Sequence, residues 1–196
     1  MDQQSLILNG GPLIGPDVVS VARKGLTVSI GEEATKRMSS SRSTVEKVAA
    51  STNPTYGINT GFGALSTTSI SKDELDQLQM NLLRSHAAGV GDPLPQDVVR
   101  GMMVILAGSL CRGFSGVRPE VAELLVSTLN ANVTPVIPSR GSVGASGDLA
   151  PLSHLALVLC GEGKATLGDK DMPGKAAIAA AGLTPIIPVA KEGLAL

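Results

Sequence analysis

This 196-residue chain reads as mainly α on three observations. Leucines recur at helical spacing, as in Leu75, Leu78, Leu82 and Leu83, the period of a buried helix stripe. Prolines stand where helices begin, at Pro16, Pro95 and Pro119, a position that tolerates their missing N–H. Aromatic residues make up only 2% and Trp is absent, so the core falls to Leu, Val, Ile and Ala, which suit close helix packing.

The elements follow in order. A short hairpin is expected at Leu6–Leu13, turning at Gly10-Gly11. Pro16 opens a helix through about Gly25, and a second runs from about Glu32 to Ala50, closed by Ser51-Thr52-Asn53-Pro54. Helices near 71–88, 95–112 and 119–130 come next. The first opens on Ser71-Lys72-Asp73-Glu74, a capping box in which Ser71 and Glu74 satisfy free N–H groups reciprocally; Gly89 and Gly91 stop it. Residues 131–145 form an extended, Pro-containing approach to a turn. A helix from about Asp148 to Leu159 tolerates Pro151 in its first turn. A small hairpin near 164–172 and a short helix through Lys175–Ala181 complete the reading. With no internal repeat or linker, residues 1–196 are expected to be a single domain.

Composition excludes several classes of function. A net charge of −1 gives no electrostatic case for nucleic acid or an anionic membrane, and base stacking has almost no aromatics to use. Two His, two Cys and no Cys-x-x-Cys leave no metal site in view. Cys111 and Cys160 lie in apolar helical contexts and read as free buried thiols. The polar N-terminus is unlike a signal peptide and no apolar run reaches membrane-spanning length, so the cytoplasm is the expected compartment.

Three strings carry chemistry. Tyr56-Gly57-Ile58-Asn59-Thr60-Gly61-Phe62-Gly63 packs three glycines and an Asn around the chain's only Tyr, which specifies an irregular loop. Asn81-Leu82-Leu83-Arg84-Ser85-His86-Ala87-Ala88-Gly89-Val90-Gly91 places His86 at a helix C-terminus. Gly141-Ser142-Val143-Gly144-Ala145-Ser146-Gly147-Asp148-Leu149-Ala150-Pro151 is the most unusual. Gly147 lacks a Cβ, so its nitrogen can approach the Ala145 carbonyl carbon. Attack there with loss of water closes a five-membered ring, and loss of a second water from Ser146 leaves an exocyclic dehydroalanine methylene, a strong electrophile. Taken singly, each string has an ordinary reading: Tyr56 packed under a turn, His86 as a cation at a helix end, Ser146 as N-cap with Asp148 in the first turn. A phosphate-binding loop lacks its Lys and Ser/Thr.

Together the three strings resemble the aromatic amino-acid ammonia-lyases, over essentially the whole chain from Leu6 to Leu196. The resemblance implies the helical N-terminal domain of the ammonia-lyase (fumarase/aspartase-like) fold, with short strands and irregular active-site loops. It implies an autocatalytic methylidene-imidazolone from Ala145, Ser146 and Gly147, with no external cofactor. Tyr56 takes the catalytic role, His86 binds a small amino-acid substrate, and Asn59, Gly63 and Asp148 support the site. His86 favours histidine, giving trans-urocanate, over tyrosine or phenylalanine, whose lyases and aminomutases stay as alternatives. Family members are longer homotetramers that continue past Leu196 with an Asn-Gly-Thr segment and a helical bundle. A silent fragment pairing with a complementary chain is the alternative of another class, and the chain alone is expected to be inactive or to self-associate. His154, among Leu152, Leu155 and Leu157, reads as a hydrogen-bonded core residue. Arg112 and Arg118 flank a turn as bridges to loops or acids, and Arg140 stands beside the Ala145 loop.

Overall fold

The computed structural model describes residues 5–63, 70, 72–143 and 148–196. In chain order the elements are β1 (Leu6–Leu8), α1 (Gly15–Lys24), β2 (Val28–Ile30), α2 (Glu32–Ala49), α3 (Lys72–His86), β3 (Val90–Pro93), α4 (Gln96–Leu110), α5 (Pro119–Asn130), β4 (Val133–Pro135), β5 (Pro138–Arg140), α6 (Leu149–Leu159), β6 (Lys164–Leu167), β7 (Lys170–Pro173), α7 (Gly174–Ala180) and α8 (Glu192–Ala195). Helices α4 and α5 are the centre. Val99, Met103 and Leu110 of α4 and Val121, Leu125 and Leu129 of α5 are at most 1% exposed, and at about 25 cal/mol per Å² this apolar burial is the main favourable contribution to folding. Helices α1, α2, α3 and α6 pack around that pair and bury Val21, Met38, Leu83 and Leu155 in the same core. The prolines act as expected: Pro16 and Pro119 lie in the first turns of α1 and α5, and Pro95 immediately precedes α4.

The expected hairpin at Leu6–Leu13 does not form. Strand β1 pairs parallel with β2, Leu6 opposite Val28 and Leu8 opposite Ile30, and α1 makes the crossover that parallel strands require. Gly10 has φ +74°, and a Cβ there would fall 2.5 Å from the Cys111 carbonyl oxygen. Its glycine therefore serves close approach to the end of α4, where Arg37 also donates to the Asn9 carbonyl, and not a hairpin turn. The expected hairpin near 164–172 is present as β6–β7, with β4 on the far side of β6, all antiparallel. The extended stretch after 131 divides between two sheets. Strand β4 joins β6, and β5 pairs antiparallel with β3, Val90 opposite Arg140.

One helix boundary and one helix face differ from expectation. Asp148 is the N-cap of α6, in the left-handed region at φ +56°, and not a first-turn residue; Ser146, the expected N-cap, lies outside the described residues. In α3, Leu75 and Leu83 are buried while Leu78 and Leu82 are half-buried, because Gln79, 1% exposed, occupies the position between them. Ser71, the first member of the expected capping box, also lies outside the described residues.

Arg100 ties the periphery to the core. It is 9% exposed, and its guanidinium donates to the Leu129 carbonyl and Asn132 Oδ1, both at 3.0 Å, and to the Val21 carbonyl at 3.1 Å. Its partners are thus carbonyl oxygens at the ends of α1 and α5. We expect Arg100→Met to cost about 3 kcal/mol, because two buried carbonyls lose a charged donor. Urea unfolding would measure it, and a loss under about 1 kcal/mol would contradict this account of Arg100.

Candidate active site

The Tyr56 loop is held by Asn59. This side chain is 3% exposed; its Oδ1 accepts the Thr55 N–H at 2.7 Å, and its Nδ2 donates to the carbonyls of Asn53 (3.0 Å), Ser51 (3.1 Å) and Val48 (3.3 Å). Asn59 is therefore spent on the loop backbone and on the end of α2, a use that favours Asn's short amide. Tyr56 stands out from this loop, 58% exposed, with Phe62 edge-on at 6.0 Å and 86°. Gly63 has φ +57° with open space around it, so its glycine serves the backbone conformation.

His86 is the last residue of α3. Its Nδ1 is turned back on its own helix, 2.9 Å from the Leu82 carbonyl oxygen and 3.1 Å from Ser85 Oγ. Immediately beyond it, the Gly89 N–H donates to His154 Nε2 at 3.1 Å. A Cβ at Gly89 would lie 3.1 Å from that nitrogen and 3.2 Å from Pro138 Cβ, and one at Gly141 would lie 3.1 Å from both Ala150 Cβ and Gly89 Cα. Three backbone segments thus meet so closely that a Cβ at either glycine would be tight: the turn after His86, the exit of β5 and the first turn of α6. The last two flank the Ala145 loop. Ser142 Oγ donates to Asp148 Oδ1 across its ends, which gives Asp148 a loop-closing contact. Ala145, Ser146 and Gly147 themselves lie outside the described residues, as does whatever Arg140, at the end of β5, would hold there.

Residues 189–194 build a further wall of the site. Glu192 has no exposed surface. Its carboxylate accepts the Arg118 N–H (3.0 Å), Arg118 Nε and Nη2 (both 2.8 Å) and the Val189 N–H (3.0 Å), with Arg42 Nη1 at 3.8 Å. The turn so anchored lays Gly193 on the Gln79 backbone, where a Cβ would sit 2.7 Å from the carbonyl oxygen. It also gives the Leu194 N–H to Gln79 Oε1 at 3.2 Å, and Leu194 in turn packs under Gly57. The result is a cavity of about 690 Å³ in which Tyr56, Phe62, His86, Leu149, Ser153 and Leu194 share the walls. A second cavity of about 710 Å³ lies behind the Glu192 clamp, but its two arginines, Arg42 and Arg118, are already engaged by Glu46 and Glu192.

The structure thus brings Tyr56, Gly63 and His86 to one cavity, seats Asn59 behind the loop and sets Asp148 at the mouth of the Ala145 loop. Arg118 finds its acid in Glu192, while Arg112 stacks over Phe114 at 5.6 Å. Cys111 and Cys160 are free, and burial pushes their thiols up to about 11 and about 12, which keeps them protonated and inert. Among the described residues no helix is long and apolar enough to cross a membrane. Sequence reasoning missed Glu192, Gln79 and Ser85. The one available signal was an acid opening the otherwise apolar run Glu192-Gly193-Leu194-Ala195-Leu196.

The class follows from superposition. Over 98% of its length the chain matches the crystal structure of the ergothioneine-degrading enzyme ergothionase from Treponema denticola, in complex with desmethyl-ergothioneine sulfonic acid, at TM-score 0.94 and 33% identity, covering 38% of that chain. It matches histidine ammonia-lyase from Trypanosoma cruzi at TM-score 0.90 and 38% identity, covering 98% of this chain and 37% of that one. The fold is that of the ammonia-lyases. The family model for aromatic amino acid lyases matches residues 14–196, and the chain belongs to that family. It is 48% identical over 196 residues to a histidine ammonia-lyase of Treponema denticola, covering 100% of this chain and 39% of that protein. The chain therefore spans well under half the length of these relatives.

His154 makes a pH prediction. Burial holds its pKa below the ordinary 6.5, and only unprotonated Nε2 can accept the Gly89 N–H. As pH falls through the unfolded value, the unfolded chain takes the proton first, so this stability is present above about 6.5 and lost below it. We expect acidification from pH 8 to about 5.5 to lower the urea midpoint more in the native protein than in His154→Gln. Equal losses would contradict this role.

Proposed function

We propose that this chain is the cofactor-forming part of an ammonia-lyase that converts L-histidine to trans-urocanate and ammonia. The observation that carries the reading is the shared cavity: Tyr56, His86 and the first residue of α6 line one space, although they come from three separate parts of the chain. The names of relatives at 48% identity support histidine as substrate.

The residues present fit the family's internal cofactor. The flanks of the Ala145–Gly147 turn are drawn together at Gly89, Gly141 and Ala150 and bridged by Ser142 and Asp148, the kind of surrounding packing that can sustain a strained backbone. Ala145, Ser146 and Gly147 would form the methylidene-imidazolone, which when present supplies an electrophile able to capture the substrate's amine or ring. Tyr56 takes the substrate's β-proton, the step for which a base is needed because that C–H bond is barely acidic. Phe62 holds the phenol from its edge, and His86 orients the substrate imidazole. Loss of that proton and of ammonia leaves the double bond of urocanate. Tyr56 is more than half exposed; residues beyond this chain, from the rest of the protein or from further copies in a homo-oligomer, would cover it and exclude water.

The test pairs mass with turnover. The active protein should show a deficit of two waters located at residues 145–147, and Ser146→Ala should abolish both the deficit and urocanate formation. Tyr56→Phe should keep the deficit while turnover falls by about 10²- to 10⁴-fold. A full, unmodified mass in an active preparation would overturn the reading. Turnover of tyrosine or phenylalanine in preference to histidine would correct the substrate.

A further inference from the structure

The chemistry that His86 shows to the cavity is set from behind the ring. A carbonyl oxygen only accepts, so the 2.9 Å contact between His86 Nδ1 and the Leu82 carbonyl requires the hydrogen to be on Nδ1. The Ser85 hydroxyl gives its own hydrogen to the same carbonyl at 2.8 Å, which leaves its oxygen lone pairs to share the Nδ1–H at 3.1 Å. In the neutral ring Nε2 is then bare, on the edge turned away from α3, and His86 lines the cavity of about 690 Å³. We propose that Ser85 and the Leu82 carbonyl lock His86 as the Nδ1–H tautomer, so that Nε2 accepts a hydrogen bond from the substrate ring and Ser85 is a positioning residue for substrate selection. The inference rests on the lyase reading above for the identity of the donor, an imidazole N–H. A phenyl ring offers none. Nδ1–H is the less populated tautomer of free histidine in water, so the lock is detectable. His154 reaches the same tautomer by another route, since its Nε2 accepts the Gly89 N–H.

The experiment has a spectroscopic and a kinetic arm. With ring-¹⁵N-histidine in the intact protein, at a pH where the rings are neutral, His86 should show a protonated Nδ1 and a bare Nε2, its signals assigned by their loss in His86→Gln. Ser85→Ala should move this pattern toward Nε2–H, and Ser85→Thr, which keeps the hydroxyl, should restore it. Ser85→Ala should also raise KM for L-histidine about fivefold, with a much smaller change in kcat, as expected for one hydrogen bond acting through binding. Histidine methylated on a ring nitrogen has no N–H in its neutral form and should lose about 10²-fold or more in kcat/KM. An Nε2–H pattern at His86, or a Ser85→Ala protein with unmoved tautomer and KM, would overturn the proposal. No ammonia from any amino acid, with Nδ1–H intact at both histidines, would show that the lyase reading is what failed and remove the selective role with it.

Discussion

Glu192 carries a full carboxylate into a place with no solvent and survives there because Arg118 meets it with two side-chain N–H groups and its own backbone N–H, while Val189 adds another. Desolvating two charges is costly, and the cost is offset only when the geometry is good and the remaining lone pairs are satisfied. Both conditions hold. The clamp joins the start of α5 to the last turn of the chain, and Lys191 secures the same turn with a 2.6 Å bond to the Ser115 carbonyl. From this point the cavity is built outward: Gly193 on α3, Leu194 under Gly57, and Tyr56 above it.

The opposite wall depends on an absence of side chains. At Gly89 and Gly141 the turn after His86, the exit of β5 and the start of α6 approach to distances that a Cβ would close. The β3–β5 pairing and the His154 contact fix the same three segments. A charged clamp on one side and a glycine junction on the other therefore position His86, Tyr56 and the flanks of the Ala145 loop, although the three do not share a single element. Rigid scaffolds that present functional groups on loops are a common arrangement, and here α4 and α5 are that scaffold.

The helices were legible because their signals are local, and so were the Tyr56 and His86 strings, which the structure brings to one cavity. Pro16 and Pro119 mark helix starts by their own geometry, and Tyr56 stands out as the chain's only Tyr. What sequence left unread is long-range. Gly10-Gly11 is a turn signal that points Leu6–Leu8 to a hairpin, whereas its true partner, Val28–Ile30, lies across α1. Glu192 and Arg118 are separated by 74 residues, and no spacing rule connects them. Gln79 falls in a leucine stripe and would be taken for a solvent-facing residue, yet it is buried to receive Leu194. Nothing in the sequence shows that the Ser85 hydroxyl donates to the Leu82 carbonyl beside His86.

The measurement that bears most directly on this account is amide hydrogen exchange in Glu192→Gln. If the clamp positions the cavity, the amides of Leu194, Ala195 and Leu196 should exchange about 10²-fold faster or more, since removing one partner of a buried pair is strongly destabilising. The Ile58 and Asn59 amides of the Tyr56 loop should rise with them, and all should rise further than those of the β6–β7 sheet. Exchange at 194–196 and 58–59 that stays at the native rate, or increases no more than in β6–β7, would contradict the claim that Glu192 holds the site together.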